Sequence, residues 1–284
     1  MSTFTVACIQ TNTGLEMEAE IEKLRPLVRE ARARGADFIA TPETALMVDR
    51  KRTRMLAKAC EEADHPGYPA FAQMARETGA WLLAGSFTVK LDAEHVANRS
   101  VLFDPTGAVV ASYDKIHMFD VDLEGGDSYR ESATVRSGTR AVLAPTPWGL
   151  MGLTVCYDLR FPQLYRALAQ AGASILTVPA CFTRYTGQAH WHVLLRARAI
   201  ETGCFVIAPA QVGTHADGRE TYGHSLVVAP WGEVLADGGE AVGITLAQID
   251  MARVAKARGM VPSLAHDRPF QNPRAVMLAG RKSA

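Results

Sequence analysis

Neither sign of charge is in excess: lysine plus arginine equals aspartate plus glutamate, 30 each in 284 residues. No bulk field therefore draws the chain to nucleic acid or to an anionic membrane. Long apolar runs are missing too; none approaches the roughly 18 residues that a spanning helix needs. The start, "MSTFTVACIQTN", lacks a basic segment followed by an apolar one and reads as a strand. Cysteine is sparse: Cys8, Cys60, Cys156, Cys181 and Cys204 are odd in number and show no CxxC spacing. That argues against a disulfide framework or a zinc ribbon and for a reducing compartment. Repeats, low-complexity tracts and compositional linkers are absent. Gly125-Gly126 and Gly238-Gly239 are not followed by the Lys-Ser/Thr of a phosphate loop. The expectation is a soluble cytoplasmic protein with no nucleic-acid or membrane partner, no cofactor and no metal.

What is there alternates. Residues 4–9 form an apolar, β-branched strand, and the apolar spacing of Leu15, Ile21, Leu24, Leu27, Val28 and Ala31 predicts a helix over 15–34. Its acidic start and basic end suit the helix dipole. Further strands are expected at "DFIATPE", 81–87, 97–104, 108–114 and up to Cys156, then at "SILTVPA", "CFVIAPA", "GHSLVVA", "GEVLAD" and "GITLAQI". Helices are expected near 51–63, 69–79, 162–171 and 188–202. The polar segment 116–140 reads as a long loop, and such loops inside compact domains are usually functional. This is an α/β pattern: mixed sheets covered by helices, one domain over 1–258, and an extended tail at 259–284 packing on the domain or on a partner subunit.

Three strand ends each carry one reactive side chain: Glu43, Lys115 and Cys156. Singly, each has a bland reading, since a cysteine ending an apolar strand is commonly a small buried filler and a turn carboxylate or ammonium a solvated charge. Together they allow acyl transfer. The carboxylate takes the thiol proton, while the ammonium favours the thiolate and donates to the developing oxyanion. The Tyr157 backbone N–H, just after the nucleophile, supplies a second donor.

The blocks "TPETAL" (41–46), "YDKIHMFDVDL" (113–123) and "GLTVCYDLRFPQLYRAL" (152–168) resemble the three signature blocks of the nitrilase superfamily of carbon–nitrogen hydrolases. The resemblance, from residue 4 to about 250, implies a Glu43–Lys115–Cys156 triad and a four-layer αββα sandwich with mixed β-sheets, assembled as a homodimer or larger homo-oligomer. It also implies a second glutamate holding the lysine, for which "YRES" (129–132) offers Glu131. The stretches 186–213 and 221–236 look like the Nit branch. There, the expected substrate is a small linear amide with an acidic end. Deaminated glutathione, cut to 2-oxoglutarate and cysteinylglycine, fits better than 2-oxoglutaramate, because Gln211 and Tyr222 depart from the ω-amidase pattern. N-carbamoyl compounds and nitriles remain alternatives with the same triad.

Other residues are open to more than one role. Arg160 either pairs with an acid or receives a substrate carboxylate. Arg184 and Tyr185, in the loop after the next strand, are expected to meet the substrate, as is His190. His190 and His192 at i,i+2 point to different faces of a helix, which opposes a shared metal. His224 could orient a loop near the site, and Cys181 lies in a loop the resemblance puts beside the pocket.

Overall fold

The computed structural model describes residues 3–123 and 128–271. In chain order the first half runs β1 (Thr3–Gln10), α1 (Met17–Ala33), β2 (Phe38–Ala40), α2 (Arg52–Lys58), α3 (Gly67–Thr78), β3 (Trp81–Lys90), β4 (Val96–Phe103), β5 (Val109–Asp114), β6 (Asp120–Asp122) and β7 (Ser128–Arg130). Next come β8 (Val142–Thr146), β9 (Gly149–Leu153), α4 (Pro162–Gln170), β10 (Ala173–Thr177), α5 (Arg184–Thr202) and β11 (Phe205–Ala208). The described residues then run through β12 (Val212–Thr214), β13 (Glu220–Tyr222), β14 (Leu226–Val228), β15 (Val234–Asp237), β16 (Gly243–Asp250) and α6 (Ala252–Met260).

Two six-stranded sheets form, ordered β16-β1-β2-β3-β4-β5 and β15-β14-β11-β10-β9-β8. Alternation along the strands builds the layers. In β1, Val6 and Cys8 face the second sheet, while Ala7 and Ile9 face α1 and α3. Met17, Ile21, Leu24 and Val28 of α1 and Phe71 and Met74 of α3 cover that outer face. On the other side Leu164 and Leu168 of α4 and Trp191, Leu195 and Ala199 of α5 cover the second sheet. The result is the four-layer αββα sandwich with mixed sheets.

Read from β16 and from β8 respectively, both sheets run antiparallel, parallel, parallel, antiparallel, antiparallel. The matching plan, invisible as a sequence repeat, puts the exit of β2 in one sheet and the exit of β10 in the other at equivalent places. Glu43 follows the first exit and Cys181 the second.

Some sequence expectations are corrected. The helix near 51–63 is broken into α2 and a 3₁₀ turn at Glu62–Asp64, because α2 has no buried residue to hold it on the sheet. α5 starts at Arg184, ahead of the expected 188, since the Thr183 hydroxyl caps it by accepting from Thr186 N at 3.4 Å. Arg184 and Tyr185 are therefore helical and not in a loop. α6 crosses the boundary drawn at 258, and the chain beyond it turns back onto α4, where Arg166 and Gln170 reach Asp267. Residues 272–284 of the tail, and Gly125 and Gly126, lie outside the described residues. The 116–140 segment carries the short β6–β7 hairpin.

Candidate active site

Each reactive side chain leaves its sheet through a tight local device. After β2, Thr41 N donates to Leu83 O (3.0 Å), and Thr44 takes a left-handed φ of 50°, its N–H held by the Ser86 hydroxyl at 2.8 Å. Gly85 allows this crowding: a Cβ there would lie 2.0 Å from Thr41 O and 2.3 Å from Pro42 O. Glu43 is thereby turned inward. Lys115 follows β5 directly, with its N–H on Asn98 O at 2.9 Å. Cys156 lies beyond the end of β9, at the start of a 3₁₀ turn, and has a φ of 48°. A cysteine in the left-handed region is strained, of order 1–3 kcal/mol, and such strain at a strand-to-helix turn is how a nucleophile is pushed out of a sheet edge.

Asp158 holds that turn. Fully buried, its carboxylate accepts from Val155 N (2.9 Å), Tyr113 OH (2.8 Å), His117 N (3.0 Å) and His117 Nδ1 (2.7 Å). One carboxylate thus ties the cysteine turn to residues on both sides of Lys115.

The side chains meet at the wall of a cavity of about 260 Å³ that Glu43, Asn98, Lys115, Glu131, Cys156 and Tyr157 help to line. Lys115 Nζ lies 3.0 Å from Glu43 Oε1 and 2.9 Å from both Glu131 oxygens. Asn98 Nδ2 donates to Glu43 Oε1 at 2.9 Å and to Glu131 Oε1 at 3.4 Å. Glu43 Oε2 accepts from Cys181 N at 2.7 Å, and Phe119 N donates to Glu131 Oε2 at 2.6 Å. Behind Glu43, Gln211 Nε2 donates to the Glu43 carbonyl (3.1 Å) and to Thr13 Oγ1 (2.8 Å).

The Glu43 and Lys115 side chains are only 5% and 2% exposed, so electrostatics are strong here. Burial pushes the Glu43 carboxyl up, but the Lys115 charge and hydrogen bonds from Cys156, Lys115 and Asn98 outweigh it, leaving it below its ordinary value. Burial alone would lower Lys115, yet Glu131 and Glu43 raise it well above the usual lysine value. Burial and the neighbouring Glu43 charge lift the Cys156 thiol well above the ordinary cysteine value, against the opposing effect of Lys115. The resting state is therefore carboxylate, ammonium and neutral thiol. A carboxylate on the same cavity wall as a neutral thiol is a base placed to take its proton.

Thus Glu43, Lys115, Cys156 and Glu131 come together, with Tyr157 on the same cavity. Arg160, Arg184, Tyr185 and His190 are not among the residues lining it. Arg160 Nη2 instead lies 3.3 Å from His190 Nδ1, with its guanidinium over the Tyr157 and Phe182 rings, and Arg184 approaches Glu240 at 3.8 Å. His190 and His192 diverge as their spacing requires. His192 Nε2 meets Asp237 Oδ2 at 3.1 Å, beside His224, whose Nδ1 is 2.9 Å from Asp237 Oδ1; none of the three lines the cavity. Sequence reasoning missed Asn98, the Cys181 N–H as a carboxylate donor, and Arg219. An asparagine inside a strand was a signal, since strands disfavour it. Arg219 gave none.

A strained cysteine, a buried carboxylate and a buried ammonium between two mixed sheets define a class, and residues 5–259 match the carbon-nitrogen hydrolase family: the chain belongs to it. It is 38% identical over 271 residues to the deaminated glutathione amidase of Synechocystis sp., covering 94% of this chain and 98% of that one. The human protein of the same name is 41% identical over 269 residues, with 93% of this chain and 82% of that one covered. Among solved structures, the C. elegans NitFhit protein superposes with a TM-score of 0.88 at 34% identity, over 94% of this chain and 66% of that one.

Proposed function

We propose that this protein is an amidase that hydrolyses deaminated glutathione to 2-oxoglutarate and cysteinylglycine through a cysteine thioester. The observation carrying the chemistry is the placing of Cys156, Glu43, Lys115 and Glu131 on one cavity wall, with the Lys115 ammonium held between the two carboxylates. The choice of substrate is supported by relatives of that name in Synechocystis sp., Bos taurus and Homo sapiens, matched over 93 to 94% of this chain.

Glu43 takes the Cys156 proton as sulfur attacks the amide carbonyl, so that no resting thiolate is required. Lys115 and the Tyr157 N–H stabilise the oxyanion. Glu43 then gives its proton to the departing amine and draws one from the water that cleaves the thioester. Glu131, with both oxygens on Lys115, fixes the ammonium between two carboxylates and keeps it charged while the Glu43 carboxylate is neutralised.

The test is release of 2-oxoglutarate by the purified enzyme from deaminated glutathione and from 2-oxoglutaramate, with Cys156→Ser as control. Faster release from deaminated glutathione is expected. The reverse preference makes the enzyme an ω-amidase, and activity on neither overturns the substrate assignment. In Glu43→Gln, acylation and deacylation should both slow. Rapid build-up of an acyl-enzyme by intact mass in that variant would assign the base elsewhere.

A further inference from the structure

The cavity wall holds a second cation that the reaction above does not use. Arg219 lines it and immediately precedes β13, at the end of a turn that is locked in place. Asp217 accepts from Arg219 N (2.9 Å) and from Arg50 N (2.8 Å). His215, buried in the same turn, has Nδ1 2.9 Å from Thr13 O and Nε2 2.8 Å from Thr221 Oγ1. The guanidinium lies 5.7 Å from the Tyr129 ring centre, and its Nη1 donates to Cys181 Sγ at 3.5 Å. Its Nε is closed off from solvent and has no hydrogen-bond partner.

Other cavity cations already have partners: Lys115 has Glu43 and Glu131, Arg130 has Asp122, Arg52 has the Glu94 carbonyl, and Arg50 lies over the Tyr129 ring. Arg219, among the described residues, has a thiol as its side-chain partner and an orphaned N–H. A guanidinium cannot shed its charge, and the half-buried Arg219 is offset by the charges of Asp217 and Glu43 with no salt bridge to either among the described residues. An arginine on the cavity wall with no carboxylate bonded to its side chain suits a carboxylate brought by a ligand, which the planar fork binds in bidentate fashion.

We infer that Arg219 is the specificity residue for the acyl half of the substrate, binding the carboxylate at the far end of a 2-oxo acid amide. This rests on the reading of the protein as an amidase of such compounds. Cys181 supplies the reach: its N–H donates to Glu43 and its Sγ accepts from Arg219, so a single residue separates the base from the guanidinium. In a 2-oxoglutaryl group the carboxylate is four carbon–carbon bonds from the scissile carbonyl, about 5 Å when extended. The acyl half also stays on sulfur through both half-reactions while the amine leaves. A cation fixed on the cavity wall suits the half that stays.

The discriminating pair is 2-oxoglutaramate and 4-oxopentanamide, which share a leaving group and differ only in that carboxylate. The wild type should favour the charged amide in kcat/KM by about 10² to 10³-fold. In Arg219→Met that preference should collapse to within about threefold, and Arg219→Lys, which keeps the charge but not the fork, should recover part of it. Parallel loss on both amides with the preference intact would overturn the inference. So would an unchanged rate on the charged amide. Binding gives a readout independent of turnover: 2-oxoglutaramate should bind Cys156→Ala at least about 10²-fold more tightly than Cys156→Ala/Arg219→Met by calorimetry. Equal affinities, or no binding to either, would sink the role of Arg219. A wild type inactive on both amides whose Cys156→Ala form still binds through Arg219 would instead sink the amidase reading alone.

Discussion

Cys156 is a nucleophile that rests protonated. Burial and the Glu43 charge raise its thiol well above the usual cysteine value, while Lys115 and nearby hydrogen bonds hold Glu43 below the usual carboxylate value. The base is therefore ionised and the thiol neutral across the neutral range, and the proton moves only as the bond forms. Turnover and iodoacetamide labelling at Cys156 should both be level between about pH 6 and 9, where a free thiol would climb steeply. The acid limb should lie below the ordinary carboxylate range, because Glu43 must remain ionised. A sigmoidal rise in labelling centred near the free-cysteine value would contradict this protonation state.

At the scale of elements, the site is an agreement between two strand exits. β5 brings Lys115 and β9 brings Cys156 from different sheets, and Asp158 joins them with four accepted hydrogen bonds. Asp158→Asn places an amide NH₂ among donors and breaks at least one of those bonds in a buried place. A loss of about 2–4 kcal/mol in denaturant unfolding is expected. The same change should lower kcat by about 10²-fold as the thiol turn relaxes. Tyr113→Phe, which removes one bond of the four, should cost only about 1 kcal/mol. Equal effects of the two substitutions would mean that Asp158 does not organise the turn.

For the molecule as a whole, buried histidines contribute an acid dependence, His65 and His215 both being held below the ordinary imidazole value by burial. His65 precedes α3 and is 1% exposed; its Nδ1 accepts from Gly67 N at 3.1 Å, and its Nε2 has no partner. Burial lowers its pKa from 6.5 to about 4. As pH falls below 6.5 the unfolded chain takes up this proton first, so stability is lost progressively until about pH 4, where the folded form also binds it. His65→Asn keeps an acceptor for Gly67 and does not titrate. Between pH 7 and 5 the wild type should lose about 2 kcal/mol more than this variant in urea unfolding. Identical pH slopes would show that His65 is solvated in the native state.

The sequence by itself determined the alternating α/β order, the reactive residues Glu43, Lys115 and Cys156, and the family, because these are carried by local periodicity and contiguous blocks. It did not determine where α2 ends, since that depends on whether a face finds a surface to bury against, and α2 has no buried residue. Nor did it show that the two sheets share one plan of strand directions, because strand pairing is long-range and leaves no repeat in side-chain identity. Only the tertiary structure brought Asn98 and the Cys181 N–H onto the Glu43 carboxylate, from positions 55 and 138 residues away. It likewise left Arg160, Arg184, Tyr185 and His190 off the cavity wall and put Arg219 on it. A side chain's chemistry is written in the sequence, but its partners are set by packing, and at this site the partners decide which carboxylate is the base and which cation has an unsatisfied donor.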